Sequence, residues 1–349
     1  MEPITHFLTG ACIGRAGLNR KTALATATLT LAAEAPDIDV FGRFGGPVFG
    51  FAHHRGFTHS FLGAALMAGV VLLFMYGVYL LRRKKHAARY AQLPPRWGLL
   101  YIYAYMAGLS HILLDFTNNY GVRPLWPFSE KWYSWDIVFI VEPVLWIALI
   151  GGLLLPGLFS LINEEVGLRK KGPHGRAGAL VALVIMVLTW AVRDFEHRRA
   201  IAAMEARTYQ DQEAVRVSAY PYWVNPFRWY GVVETKDFFG SMGVDSLTPE
   251  VDPTGTMSVR FKPEETPVTL AAKKSYLGRV YLDWAQYPVT ETEALEHNSG
   301  YIVRFSDLRY AYPERIGGSR KPLSAGVELD SNLNVVRAFT GEREGDGKN

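Results

Sequence analysis

For roughly its first 200 positions the chain alternates long apolar runs with short, mostly basic interruptions, and then its character changes. Residues 57–81 are almost unbroken in their apolarity, past the ~20 residues that a helix needs to cross a bilayer. Residues 97–116, 137–159 and 177–192 repeat the pattern, each bounded by charged or Pro/Gly-containing segments. Two shorter stretches, 4–18 and 22–35, flank Asn19-Arg20-Lys21 and predict a helical hairpin. At ~1.5 Å per residue each arm reaches roughly 20 Å of a ~30 Å hydrocarbon core, so these arms are expected to tilt, thin the bilayer or re-enter. The expectation for residues 1–199 is an α-helical integral membrane domain of about six membrane segments, the first two short.

From about Ile201 onward, apolar and polar positions alternate between Gly, Pro, Asn and Asp. Segments 214–220, 228–234, 256–261, 279–284, 301–305 and 326–330 read as strands of a twisted antiparallel sheet. They predict a β-rich soluble domain over 200–340, with a polar, disordered tail at 341–349. The aromatic run from Tyr220 to Trp229 suits either a membrane-facing surface or a sheet core.

Composition hides this asymmetry, since 20% charged and 49% hydrophobic residues describe neither half of the 349. Positive charge gathers in three loops: Arg15 with Arg20-Lys21, Arg82-Arg83-Lys84-Lys85 with Arg89 and Arg96, and Arg169-Lys170-Lys171 with Arg176. The positive-inside rule places these loops in the cytoplasm, leaving the N-terminus, the 36–56 and 118–135 loops and the β-rich domain outside. Arg193 with Arg198-Arg199, at the outer end of the last span, objects weakly. Basic residues at helix ends fit lipid headgroups better than nucleic acid, so no nucleic acid is expected as a primary partner. The single Cys12 excludes a disulfide or a thiolate metal site within one chain. The first residues lack a basic start and a small-residue cleavage site, so His6 is expected to remain.

That topology gathers the chemistry on one face. The run Phe51-Ala-His53-His54-Arg55-Gly-Phe-Thr58-His59-Ser60 packs three histidines, an arginine and two hydroxyls ahead of the longest apolar stretch. His6 opens the first segment, Asp37 and Asp39 close the second, and His111 and Asp115 lie near the outer end of the fourth. His111 and Asp115 stand at i,i+4, so on a helix both project from one side and suit either one ion or a buried hydrogen-bonded pair. Asp37 and Asp39 add carboxylates, unless they form an ordinary Asp-rich turn. Imidazole and carboxylate without thiolate suit zinc first, with manganese or iron as alternatives. Two ions would need a bridging carboxylate, Asp115 or Asp37. Arg55 and Arg123, with Thr58, are candidates for binding an anionic substrate group, headgroup anchoring being the alternative for the arginines. Glu142, costly in hydrocarbon without a partner, is a candidate ligand or general base, or a structural hydrogen-bonding group. His86, His174, His197 and His297 read as solvated.

Met1-Glu-Pro-Ile-Thr-His6, Ala35-Pro36-Asp37-Ile-Asp39, the His53 to Ser60 run, His111-Ile-Leu-Leu-Asp115, Tyr120-Gly121 and Trp126-Pro127-Phe128 resemble the YdjM-like family of membrane-bound, metal-dependent hydrolases. The resemblance covers roughly residues 1–200. More distantly, the order His, Asp, His, then His-x-x-x-Asp is similar to zinc-dependent phospholipase C and the S1/P1 nucleases. By that resemblance His6, Asp37, His54 or His59, His111 and Asp115 are expected as ligands, with Asp115 as bridge. The chain departs from the soluble enzymes after Asp115, where no histidine follows before His174. Asp136 or Glu142 would then substitute, or one metal is absent.

The expected function is hydrolysis of an ester or phosphoester, lipid or lipid-linked, at the outer face of a bacterial-type inner membrane, with about two divalent ions. Asp37, Asp115 and Glu142 are the catalytic candidates. Asp39, His54 and His59 complete the expected metal set with His6, His111, Asp37 and Asp115. The alternatives are an ion or solute transporter, which wants such groups near the midplane, and a non-catalytic scaffold.

Overall fold

The computed structural model describes residues 1–165, 175–296, 299–312 and 323–341, without side chains at 160–165. His174, His297, the Arg169-Lys170-Lys171 run and the tail from residue 342 lie outside the described residues. The chain divides into two compact units, one of Met1–Asp39, Arg55–Glu196 and Pro221–Pro226, the other of Val40–His54, His197–Tyr220 and Phe227–Asn349.

The first unit is helical: α1 (Pro3–Arg15), α2 (Ala25–Glu34), then, after α3 (Pro47–His53) of the other unit, α4 (Phe61–Arg82), α5 (Ala87–Gln92), α6 (Trp97–Phe116), α7 (Pro143–Glu165) and most of α8 (Arg176–Glu205). Among the described residues α4, α6 and α8 are long and apolar enough to cross a membrane, and Pro143–Phe159 is a shorter apolar stretch. With 13 and 10 residues, α1 and α2 are short, as the sequence predicts. Local chemistry sets their starts. Glu2 accepts from Thr5 N at 3.1 Å ahead of Pro3, and Ser60 Oγ accepts from Gly63 N at 2.9 Å to cap α4.

Small residues bring the helices together. A Cβ on Gly10 of α1 would stand 2.7 Å from Leu29 O and 2.8 Å from Ala33 Cβ of α2. Behind α2, Leu29, Ala32 and Ala33 pack with Ala68, Val71 and Met75 of α4 and Leu100, Tyr103, Ala104 and Ala107 of α6. Half of the most apolar window of α6 is buried, against 22% for α4 and α8, so α6 is the central helix. The outer helices show apolar surface instead, as at Leu73 and Phe74, which is what lipid would cover.

The second unit holds two antiparallel sheets. β1 (Arg216–Pro221), β2 (Arg228–Glu234), β3 (Phe238–Asp245) and β4 (Glu250–Val251) follow in order, with β5 (Ser258–Phe261) also on β3. Ala200 and Met204 of α8 enter the core of this sheet with Trp229, Phe238 and Val244. After α9 (Pro267–Lys274) and α10 (Tyr276–Trp284) comes a four-stranded sheet in the order β6 (Pro288–Ala294), β7 (Gly300–Asp307), β8 (Ala325–Asp330) and β9 (Val335–Thr340). Two expectations are corrected. The sheet is two sheets, and residues 279–284 are helical. Ser275 caps α10 by accepting from Gly278 N at 3.0 Å, and Leu277, Tyr281 and Trp284 form its buried stripe. Their spacing of four and three is helical, and the β-prone side chains masked it. Phe51 of α3 packs against the same surface, 5.9 Å from the Tyr281 ring and 5.4 Å from the Trp284 ring.

Gly10→Leu is expected to cost about 1–3 kcal/mol of stability by wedging α1 from α2, read as a lowered Tm in detergent. Gly69→Leu, where a Cβ meets nothing within 4 Å, should leave Tm nearly unchanged.

Candidate metal centre

Four side chains from three segments converge. Asp37 lies just beyond α2, His59 in the short 3-10 turn Phe57–His59, and His111 and Asp115 one turn apart near the end of α6. One ligand atom from each lies within 4.8 Å of all the others, and His59, His111 and Asp115 are fully buried.

Most of the spacings suit ligands gathered around a small divalent ion. Ligands about 2.0–2.1 Å from a tetrahedral zinc stand about 3.3–3.4 Å from one another. Here His59 Nε2 is 3.0 Å from His111 Nε2, 3.4 Å from Asp37 Oδ1 and 3.2 Å from Asp115 Oδ2. His111 Nε2 is 3.5 Å from Asp37 Oδ1 and 3.4 Å from Asp115 Oδ2. Four of these five separations lie within about 0.2 Å of that spacing, the two imidazole nitrogens stand closer, and the donor set of two imidazoles and two carboxylates suits a divalent ion.

Each imidazole is oriented from behind. His111 Nδ1 stands 2.6 Å from the carbonyl oxygen of Ala33, which can only accept, so Nδ1 carries the proton and Nε2 is left as a ligand atom. His59 Nδ1 faces Asp39 Oδ2 at 3.3 Å and Thr58 Oγ1 at 3.1 Å, so Asp39 stands behind a ligand. That carboxylate–histidine arrangement fixes both ring orientation and basicity.

The centre is strongly anionic. Burial alone would lower the His59 pKa, but Asp115, Asp37 and Asp39 outweigh it and raise the pKa to about 10. Burial would raise Asp37, yet the hydrogen bonds from His111 and His59 hold it far below the usual carboxylate range. The His59 shift reports carboxylates that favour added positive charge, and the Asp37 shift reports imidazole donors that keep its carboxylate ionised. Asp37 is also the open side, with 24% of its side chain exposed, whereas the other three are closed.

Asp115 uses both oxygens. Oδ2 faces His59 and His111, while Oδ1 takes Arg55 Nη2 at 2.8 Å, pairs with the Met1 amino group and lies 3.4 Å from His6 Nε2. His6 is fully buried and stacks on His111 with ring centroids 3.7 Å apart, and neither of its ring nitrogens has a hydrogen bond. Arg55 spends its remaining bonds on Asn118 Oδ1 at 3.2 Å and Gly121 O at 3.1 Å, over the Tyr120 ring. It therefore holds Asp115 from behind, and its backbone N–H ties to Asp39 Oδ2 at 2.7 Å.

Other predicted residues are not among the four. His53 packs on Phe49, with rings 3.9 Å apart and Nδ1 2.9 Å from its own helix's Phe49 carbonyl, and both His53 and His54 belong to the second unit. Arg123 is buried with its guanidinium 4.5 Å from the Trp132 centroid. Glu142 is buried against Arg193 at 2.6 Å, and Arg193 Nη1 also donates to Tyr222 O at 3.2 Å. This pairing accounts for Arg193, one of the three basic residues that disagreed with the loop count, because it is neutralised inside the unit. Asn118 and the Ala33 carbonyl were missed. The first carries no signal beyond its nearness to Asp115, and a backbone acceptor leaves none.

Residues 1–200 match the model of the YdjM inner membrane protein family, more than half of the chain. The chain belongs to that family. Residues 267–346 of this YdjM protein match the YfhP C-terminal alpha/beta plait domain, which covers α9, α10 and β6 to β9. Along nearly its whole length, 98% of this chain and 95% of the relative, it is 22% identical to uncharacterized protein YfhP of Bacillus subtilis (strain 168). No solved structure matches. The family and the apolar helices together make this an inner membrane protein with a His/Asp group able to hold a metal ion.

In purified protein, His59→Ala, His111→Ala and Asp115→Asn should each strip bound divalent metal, measured by elemental analysis. Asp39→Ala should weaken binding ~10–100-fold and His53→Ala should leave it unchanged. Arg193→Met should cost about 3–5 kcal/mol by stranding the Glu142 charge, and Glu142→Leu/Arg193→Met together should recover most of it in chemical denaturation.

Proposed function

We propose that this YdjM family protein is a membrane-bound, metal-dependent hydrolase of an ester, with phosphoesters the first class, acting on a lipid or lipid-linked substrate. The observation that carries this reading is the convergence of His59 Nε2, His111 Nε2, Asp37 Oδ1 and Asp115 Oδ2 at ligand spacing, with both imidazoles oriented from behind. A divalent ion, zinc first, held there supplies Lewis acidity toward an ester or phosphoryl oxygen and lowers the pKa of a coordinated water.

The protein's own groups do the rest. Arg55 and the helical frame fix Asp115, and Asp39 and the Ala33 carbonyl fix the two rings, so the donors are preorganised. Asp37, the partly exposed member, marks where water and substrate enter. His6, buried beside Asp115 Oδ1 with its ring nitrogens unbonded, supports a second ion with Asp115 as the bridge.

The site's position favours hydrolysis over transport. Asp115 is the penultimate residue of α6, so the group sits at a helix end, whereas transport sites gather at the midplane around broken helices. A helix end at a membrane surface also gives direct access to lipid headgroups. With the basic loops inside, that end faces outward, in a multi-pass arrangement whose C-terminal domain is extracytoplasmic.

The test is a panel of phosphomonoester and phosphodiester lipids, with carboxylic ester lipids beside them, offered to zinc-loaded protein in detergent. Hydrolysis of at least one class is expected, abolished by chelator and by His111→Ala and restored by zinc only in the wild type. A fully metal-loaded protein that cleaves nothing on the panel would overturn the proposal.

A further inference from the structure

At the end of α1 opposite His6, a polar pocket of about 320 Å³ is lined by Arg15, Asn19, Arg20 and Arg176, closed by Leu153, Pro156, Gly157 and Gly175. Among the described residues no carboxylate lines it. It adjoins an apolar groove of about 530 Å³ between α7 and α8, and Pro156 and Gly175 belong to both. Ile147, Leu155, Phe159, Val181 and Ile185 line the groove, with Gly151 on its floor. Both volumes fall in the ~300–1,000 Å³ range of ligand clefts.

We propose that this pair of cavities binds one anionic glycerophospholipid, its phosphate among the arginines and an acyl chain along the groove. The proposal rests on no part of the hydrolase reading. Two of the arginines are held in place without a ligand: Arg15 Nη1 donates to Leu153 O at 3.1 Å and Arg176 Nε donates to Ala16 O at 3.0 Å. Each guanidinium has further N–H donors for phosphate oxygens, and anchoring reduces the side-chain entropy lost on binding. Arg20 is exposed and adds a third cation.

The occupant is chosen by combined polarity and position. A free phosphate would use the arginines and leave the groove unused, and a zwitterionic headgroup would bring its own cation into a field of three. An anionic lipid satisfies both cavities. Basic pockets between membrane helices at the headgroup level recognise such lipids through this charge pattern. The helices that form the groove also meet closely beside it, since a Cβ on Gly178 would lie 2.4 Å from Gly152 O. A lipid seated there would brace the α7–α8 contact at the point where Pro156 removes a helical N–H.

The test uses full-length protein in neutral detergent, with phosphatidylglycerol or phosphatidylcholine of identical chains titrated and retained lipid read by native mass spectrometry. Phosphatidylglycerol should be retained selectively. Arg20→Glu should weaken it at least about fivefold, as expected for losing one basic charge near a headgroup. This exposed substitution leaves the fold intact, whereas Arg15→Gln and Arg176→Gln also remove helix contacts and serve as a second arm. Gly151→Leu should weaken both lipids by filling the groove, because a Cβ there meets only Leu155 Cδ1 at an ordinary 3.6 Å. Equal retention of the two lipids, or selectivity unchanged by Arg20→Glu, would overturn the proposal. So would glycerol 3-phosphate competing at the concentration that phosphatidylglycerol needs, which would identify a phosphate site instead.

Discussion

A carboxylate buried near the end of a membrane-length helix persists only if its charge is answered, and the arrangement around Asp115 follows from that requirement. One oxygen is held by Arg55 and the other faces two imidazoles. Arg55 in turn needs acceptors, which Asn118 and Gly121 supply from the chain just beyond α6. The helices that carry His6 and Ala33 must come close enough to close the remaining sides, and the small residues at Gly10 and Ala33 allow it. The core packing of this unit and its polar centre are therefore one construction.

Glu142 and Arg193 solve a similar problem in another way. Both are buried and meet in one direct ion pair, and Arg193 reaches on to the Tyr222 carbonyl. Here the protein's own arginine answers the carboxylate directly. Around Asp37, His59, His111 and Asp115, by contrast, the carboxylates outnumber the buried cations that the chain supplies, apart from histidines that must stay protonated. A charge left open in this way marks a place prepared for an ion, and a charge closed by arginine marks a brace.

Much of the centre was legible because its chemistry is concentrated in short motifs. The i,i+4 pair His111 and Asp115, the histidine at 59 and the carboxylate at 37 are each improbable in apolar surroundings unless they serve one another. Three of the expected spans, α4, α6 and α8, were legible for the same reason, that an apolar run of about twenty residues has few uses. What could not be read was division of labour among neighbours. Asp37 and Asp39 are two residues apart and identical in chemistry, yet one faces His59 Nε2 and the other Nδ1. Within the histidine run, the chain turns through a left-handed residue at Arg55, φ 52°, and this separates His53 and His54 from Arg55 and His59. The helix at α10 was hidden because aromatic and β-branched residues favour strands by propensity, and its buried face became evident only with Leu277 and Ser275 in place.

The hydrogen bond from Arg55 N to Asp39 Oδ2 pins together the two ends of the Val40–His54 excursion. Closing a loop costs entropy that grows only slowly with its length, about 0.6 kcal/mol for each doubling. A latch at the base therefore insulates the histidine and carboxylate geometry from what the excursion itself contains. Asp37 and His59 can thus keep their places whatever the excursion does, as long as Asp39 and Arg55 stay joined.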